Sequence, residues 1–278
     1  MSRKREKEQM THRRIRKWIR GCLLCVMAVC LILMARSYYV SSEQEEQQSV
    51  LQERMRQERT EEGTVAPDTG ADVSLAASPA VSQEPVVLSK YASLYKENSD
   101  LAGWLTIPGM VIDDPVMQCG DDEYYLHHDF DRKKSKYGCL YVRGRADVNT
   151  PGTNIIIYGH NMKDGKMFGD LDMYEQKSFF RKHPKFRFDT LYEERTYKIL
   201  AVFRSKVYDT DDNVFKYYQF YEAETEKEFD EFYDNIKKLS LYDTGVEAEF
   251  GDTFVTLSTC AYHVEDGRFV VVAKRVTE

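Results

Sequence analysis

Thr256-Leu257-Ser258-Thr259-Cys260 is a β-prone run with a cysteine at its end, and Gly267-Arg268-Phe269-Val270-Val271-Val272 opens a second such run with an arginine. A chain that turns back between the two brings a thiol and a guanidinium to the same end of a sheet. Working outward, Tyr158-Gly159-His160-Asn161 closes another apolar run, 154–158, and supplies a base. Cysteine, histidine and arginine together can attack a peptide carbonyl and stabilise the charge that follows. Along the second run, Arg268, Val270 and Val272 share one face, and Phe269, Val271 and Ala273 the other. Arg268 therefore heads an apolar row and belongs at its rim rather than in open water.

Further strand candidates lie at 101–107, 111–117, 138–142, 186–188 and 195–203, with turn signals such as Pro108-Gly109 between them. Pro115 favours an edge position. Short helices suit residues 88–95 and 122–129. Many short strands of this kind predict a mainly β barrel or sandwich with helices. One stretch departs from the pattern: Phe229, Phe232, Tyr233, Ile236 and Leu239 recur at helical spacing within 224–239. Its glutamates come early and its lysines late, which suits the helix dipole. This helix is expected to pack on the barrel and roof one end.

The 278 residues carry a formal net charge of −7, distributed unevenly. Arg3, Lys4, Arg5, Lys7, Arg13, Arg14, Arg16, Lys17 and Arg20 crowd the start. A basic start suits nucleic acid, but the uncharged run at 21–35 that follows directs it to a membrane instead. Arg20 and Arg36 can snorkel, and Trp18, Tyr38 and Tyr39 suit the interface. The expected organisation is a cytoplasmic tail at 1–17, a single-pass anchor at 18–40, a polar stalk at 41–87 and a folded domain at 88–278, outside the cell. Within the stalk, 41–62 reads as a solvated helix without a core-facing stripe and 63–87 as a flexible spacer. A cleaved signal peptide is the rival for the first segment, but no small-x-small cleavage site follows the apolar core.

Cys22, Cys25 and Cys30 lie in the expected anchor, and Cys119, Cys139 and Cys260 outside it. Three is odd, so at least one exported thiol lacks an intramolecular partner. Whether Cys119 and Cys139 pair is open at this point. The spacings match no zinc pattern, and neither a metal nor a cofactor is expected.

A cysteine that ends a buried strand is ordinarily an inert core residue. Cys260 departs from that in being exported, in following polar Ser258 and Thr259, and in preceding Arg268 by eight positions. For the base, His127, His128, His183 and His263 compete with His160. His160 is preferred because a strand end is a rigid platform.

These segments also resemble the signature segments of sortases, as do Leu101-Ala102-Gly103-Trp104-Leu105 and Asp122-Glu123-Tyr124-Tyr125-Leu126. The resemblance spans residue 88 to the end, and the long helix before the cysteine strand is similar to that of class B sortases. It implies an eight-stranded β-barrel and a membrane-anchored cysteine transpeptidase of Gram-positive bacteria. Cys260 would be the nucleophile, His160 the general acid and base, and Arg268 the oxyanion or substrate-backbone ligand. Leu126, Ser258 and Thr259 would lie at the peptide-binding groove, with 207–221 as one wall. Asp122 stands where some relatives have Asn.

The implied partners are exported proteins with a C-terminal sorting motif and an amine of peptidoglycan or its precursor. Three other readings remain at this stage: a pilin polymerase, a hydrolytic cysteine peptidase and a non-catalytic surface binding module.

Overall fold

The computed structural model describes residues 2–64, 85–260 and 264–277. His263 and most of the expected spacer lie outside them. The chain forms two compact units, Met1–Leu51 and Gln52–Glu278.

The first unit is helical throughout, part of α1 (Ser2–Thr64). Trp18–Arg36 within it is a 19-residue apolar segment, long enough to cross a membrane. At 1.5 Å per residue it covers about 28 Å, close to the thickness of a bilayer's hydrocarbon core. Leu23, Ile32 and Met34 stand exposed along it, as lipid-facing side chains do.

The second unit begins with the end of α1, where Met55 is fully buried. Arg59 pairs with Asp113 at 3.1 Å and lies over the Trp104 ring, and Glu58 accepts a 3.1 Å bond from Ser93. This docking is mostly polar, so it leaves no apolar stripe for sequence periodicity to detect.

Helix α2 (Ser89–Glu97) leads into strands β1 (Leu101–Thr106), β2 (Asp113–Met117), β3 (Leu140–Val142) and β4 (Asn154–Gly159). After α3 (Lys177–Lys182) come β5 (Lys185–Thr190), β6 (Thr196–Lys206), α4 (Glu226–Leu239), β7 (Phe254–Cys260) and β8 (Gly267–Val276). Among the described residues, eight strands close a barrel in the order β1-β2-β3-β4-β7-β8-β6-β5. β2 with β3 and β4 with β7 run parallel, and the other pairs are antiparallel. Pro115 lies opposite Trp104 on β1, while pairing to β3 begins only at Val116. Its missing N–H is thus tolerated on a locally unpaired edge, inside a closed sheet.

Period-two alternation sorts the side chains as the sequence implies. Val255, Leu257, Phe269 and Val271 fill the barrel, whereas Phe254, Val270 and Val272 form a second apolar cluster on the outer wall. Helix α4 covers that wall with Phe229, Phe232 and Ile236. It starts at a capping box in which Glu228 N–H donates to the Thr225 hydroxyl at 3.3 Å and the Glu228 carboxylate accepts from Thr225 N–H at 3.1 Å.

The helix therefore lies along the barrel rather than across one end. Closing an end falls to the connection after β4, which no strand or helix pattern marks in the sequence. Its Phe168, Leu171, Tyr174, Phe179 and Phe180 join the interior cluster. Phe168 N–H donates to His160 O at 2.9 Å, which holds this plug beside the end of β4.

Candidate active site

The barrel order sets β7 between β4 and β8. Because β4 and β7 are parallel, their C-terminal ends finish together, and β8 starts at the same place. Cys260 lies directly opposite Arg268. Opposed residues of an antiparallel pair project on the same face, with Cβ atoms about 5 Å apart. On the other side, Gly159 is the partner of Thr259, so His160 and Cys260 follow side by side beyond the last ladder pair. Three segments far apart in sequence thus bring thiol, imidazole and guanidinium to one end of the barrel.

Side chains hold that end in register. Thr259 Oγ1 donates to Gly159 O at 2.8 Å, and Asn161 Nδ2 donates to Cys260 O at 2.7 Å. Gly159 is required by close approach, since a Cβ there would come within 2.5 Å of Leu140 and 2.8 Å of Phe168. Nε2 of His160 lies 2.8 Å from Leu126 O. A carbonyl can only accept, so Nε2 carries the proton and Nδ1 is the basic nitrogen of the neutral ring. The His127 ring lies 6.4 Å from that of His160. The Arg268 guanidinium is half-buried and folds back onto its own turn, with Nη1 donating to Gly267 O at 2.9 Å and Asp266 O at 3.2 Å.

Ser258 is buried, and its hydroxyl shares a 2.8 Å hydrogen bond with Tyr217. Burial pushes the Tyr217 phenol up to about 12, against a smaller opposing effect of that bond. Tyr217 comes from the 207–221 segment, which also accepts from Asn154 N–H through Tyr221 O at 2.9 Å. Thr259 is buried on the face opposite Cys260, and Leu126 is half-buried.

Sequence reading missed Asn161, the Leu126 carbonyl and the aromatic floor of Tyr141 and Tyr158, whose rings stack at 5.6 Å. The run 154–158 has three consecutive isoleucines and no alternation to single out Tyr158, and the other contacts depend on register.

Register also decides the open disulfide question. Met117 pairs with Tyr141 in the parallel β2–β3 ladder. Cys119 lies two residues beyond that pair and Cys139 two before it, a separation of about 13 Å along the strands. A disulfide needs Cα atoms within about 7 Å, and both thiols are free. Burial holds both above the ordinary thiol range, Cys139 strongly so.

Residues 105–276 match the sortase domain. Sortase B of Listeria monocytogenes is 36% identical over 198 residues, covering 69% of this chain and 76% of that protein. Sortase B of Staphylococcus aureus is 31% identical over 190 residues, covering 68% and 75%. The structure of a Staphylococcus aureus sortase B–substrate complex superposes with a TM-score of 0.70 at 26% identity, covering 85% of this chain and 98% of that one. The chain belongs to the sortase family of cysteine transpeptidases. Within that family it falls in class B.

Proposed function

We propose that this sortase cleaves a C-terminal sorting motif of exported proteins and joins them to an amine of peptidoglycan or its precursor. Cys260 is the nucleophile, His160 the acid and base, and Arg268 the oxyanion ligand. The observation that carries this reading is the placement of Cys260 opposite Arg268 and beside His160 at the shared end of β4, β7 and β8.

The Cys260 thiolate adds to the scissile carbonyl, and the Arg268 fork donates to the oxygen as charge develops there. Imidazolium His160 passes its Nδ1 proton to the departing amine as the C–N bond breaks, leaving a thioester on sulfur. An incoming amine then adds to the thioester carbonyl and gives its proton to Nδ1, and the thiolate departs. The Leu126 carbonyl keeps Nε2 protonated throughout, so one nitrogen carries the proton in both directions. Leu126 and Ser258 serve the groove, whereas Thr259, on the face opposite Cys260, acts only by holding the β4–β7 register.

The chain divides into a cytoplasmic tail at 1–17, a membrane anchor at 18–40, a stalk at 41–87 and an extracellular catalytic domain at 88–278. The end of the stalk, from residue 52, docks on the catalytic unit. The basic tail stays inside, and the anchor keeps the enzyme where exported substrate and lipid-linked acceptor meet. The test is incubation with a peptide panel whose motifs begin Asn-Pro, Ser-Pro or Pro-Pro. Intact mass should show a thioester on the wild type and none on Cys260→Ala. Normal turnover by Cys260→Ala refutes the assignment.

A further inference from the structure

Arg143, immediately after β3, lies half-buried with its guanidinium carbon 4.8 Å from the centre of the Tyr158 ring. Its Nε is buried without a hydrogen-bond partner, and among the described residues no carboxylate pairs with it. The nearby Asp122 carboxylate accepts instead from Gly144 N–H at 2.8 Å. Tyr141 stacks on Tyr158, so the ring under the cation is braced by a second ring. Tyr158 is the ladder partner of Ser258, two residues before Cys260. That puts Tyr158 about 7 Å from Cys260 along the strands, and about 8 Å away once the one-strand offset from β4 to β7 is included. The Tyr141 phenol, raised chiefly by burial, also senses both Arg143 and Cys260.

A guanidinium flat on an aromatic face keeps its donor edge available, and that fork matches a carboxylate in two parallel bonds. Direction decides which substrate supplies the carboxylate. Across the sheet the order is β3, β4, β7, β8. Arg268, on β8, attends the carbonyl oxygen. His160, just after β4, attends the amine, and Arg143 lies farther out on that same side. About 8 Å is the reach of two or three extended residues.

We propose that Arg143, seated on Tyr158, binds a carboxylate of the amine acceptor two or three residues from the amine that attacks the thioester. This rests on the site assignment above. It makes the enzyme select acceptors that present an amine and an acid at a fixed span.

The test uses full-length protein in detergent micelles with triglycine and triglycinamide as probes, their affinities measured by ligand-observed NMR titration. Wild type should bind the acid about tenfold more tightly than the amide, as a charge-assisted bidentate pair implies. Arg143→Met, which keeps an apolar stem over Tyr158, should bring that ratio close to one, and Arg143→Lys should restore part of it. A wild type without preference, or an Arg143→Met variant that keeps the wild-type ratio, overturns the proposal.

A second arm compares donor peptides carrying Glu or Gln just after the scissile bond. If Arg143→Met changes the Glu/Gln ratio for thioester formation but not the acid/amide ratio, Arg143 serves the leaving segment and the acceptor assignment falls. Failure of the site assignment itself appears separately, as absence of a Cys260 thioester on wild type, while the binding titration still reports on Arg143.

Discussion

Two groups of cations in this molecule live by opposite rules. Where α2 meets β5 and β6, Lys90 and Asp189 are both almost fully buried and lie 3.2 Å apart. Asp189 also accepts from Tyr91 and Arg187, each at 2.8 Å, and from Arg195 N–H at 3.2 Å, while Lys90 reaches Glu194 as well. Every charge there has a counter-charge. Near the end of β7, among the described residues, the Arg268 guanidinium donates to backbone carbonyls and the Arg143 guanidinium lies over the Tyr158 ring. Cations that hold the fold are neutralised within it, whereas the two assigned above to substrate have no carboxylate partner among the described residues. Fold and chemistry can therefore be damaged separately.

The sharpest break is Cys260→Ala, which should remove thioester formation entirely and leave thermal unfolding close to wild type. Lys90→Met should do the reverse. It removes one partner of a buried pair, and about 3 kcal/mol of stability should be lost in urea titration. The loss stays at the low end of such cases because Asp189 retains Tyr91, Arg187 and Arg195 N–H. Acylation by the folded fraction should persist. Arg268→Met should slow acylation about 10²–10³-fold, the usual effect of losing an oxyanion donor, with little change in unfolding. If Arg268→Met unfolds the protein as Lys90→Met does, the separation fails.

Gly159→Ala lies between the two groups. Its added methyl would strike Leu140 and Phe168, and overpacking of this kind costs about 1–3 kcal/mol. Since Gly159 carries His160, acylation should fall together with stability in paired activity and melting measurements.

Much of this contrast was legible in the sequence, and its limits are physical. Period two along 267–273 placed Arg268 on the face of Val270 and Val272, because alternation is a property of one strand, whereas the matching face of Cys260 follows from the β7–β8 pairing. Helical spacing within 224–239 found α4 but not the wall it covers. The plug at 161–183 escaped because its turns are too short to show a period. The docking of residues 52–64 escaped because Met55 is the one apolar anchor among polar contacts. Arg143, Asn161 and the separation of Cys119 from Cys139 all depend on which strands lie side by side, which no single segment encodes.

The smallest expected effect tests the paired group by titration. The Glu194 carboxyl is held below its ordinary range, chiefly by its hydrogen bond from Lys90. A carboxyl depressed by folding contributes stability above its unfolded pKa, about 4.3, and loses it as pH falls through the lower folded value. Wild type should therefore melt slightly above Glu194→Gln at pH 6, and the gap should close below about pH 4, where the glutamate protonates. The gap should be small even at pH 6, because Glu194 is largely open to water and screening weakens its pairing. It should also vanish in Lys90→Met at every pH, since the depressing partner is gone. A gap that persists in Lys90→Met would show that Glu194 is held by Arg187, 3.2 Å away, rather than by the buried lysine.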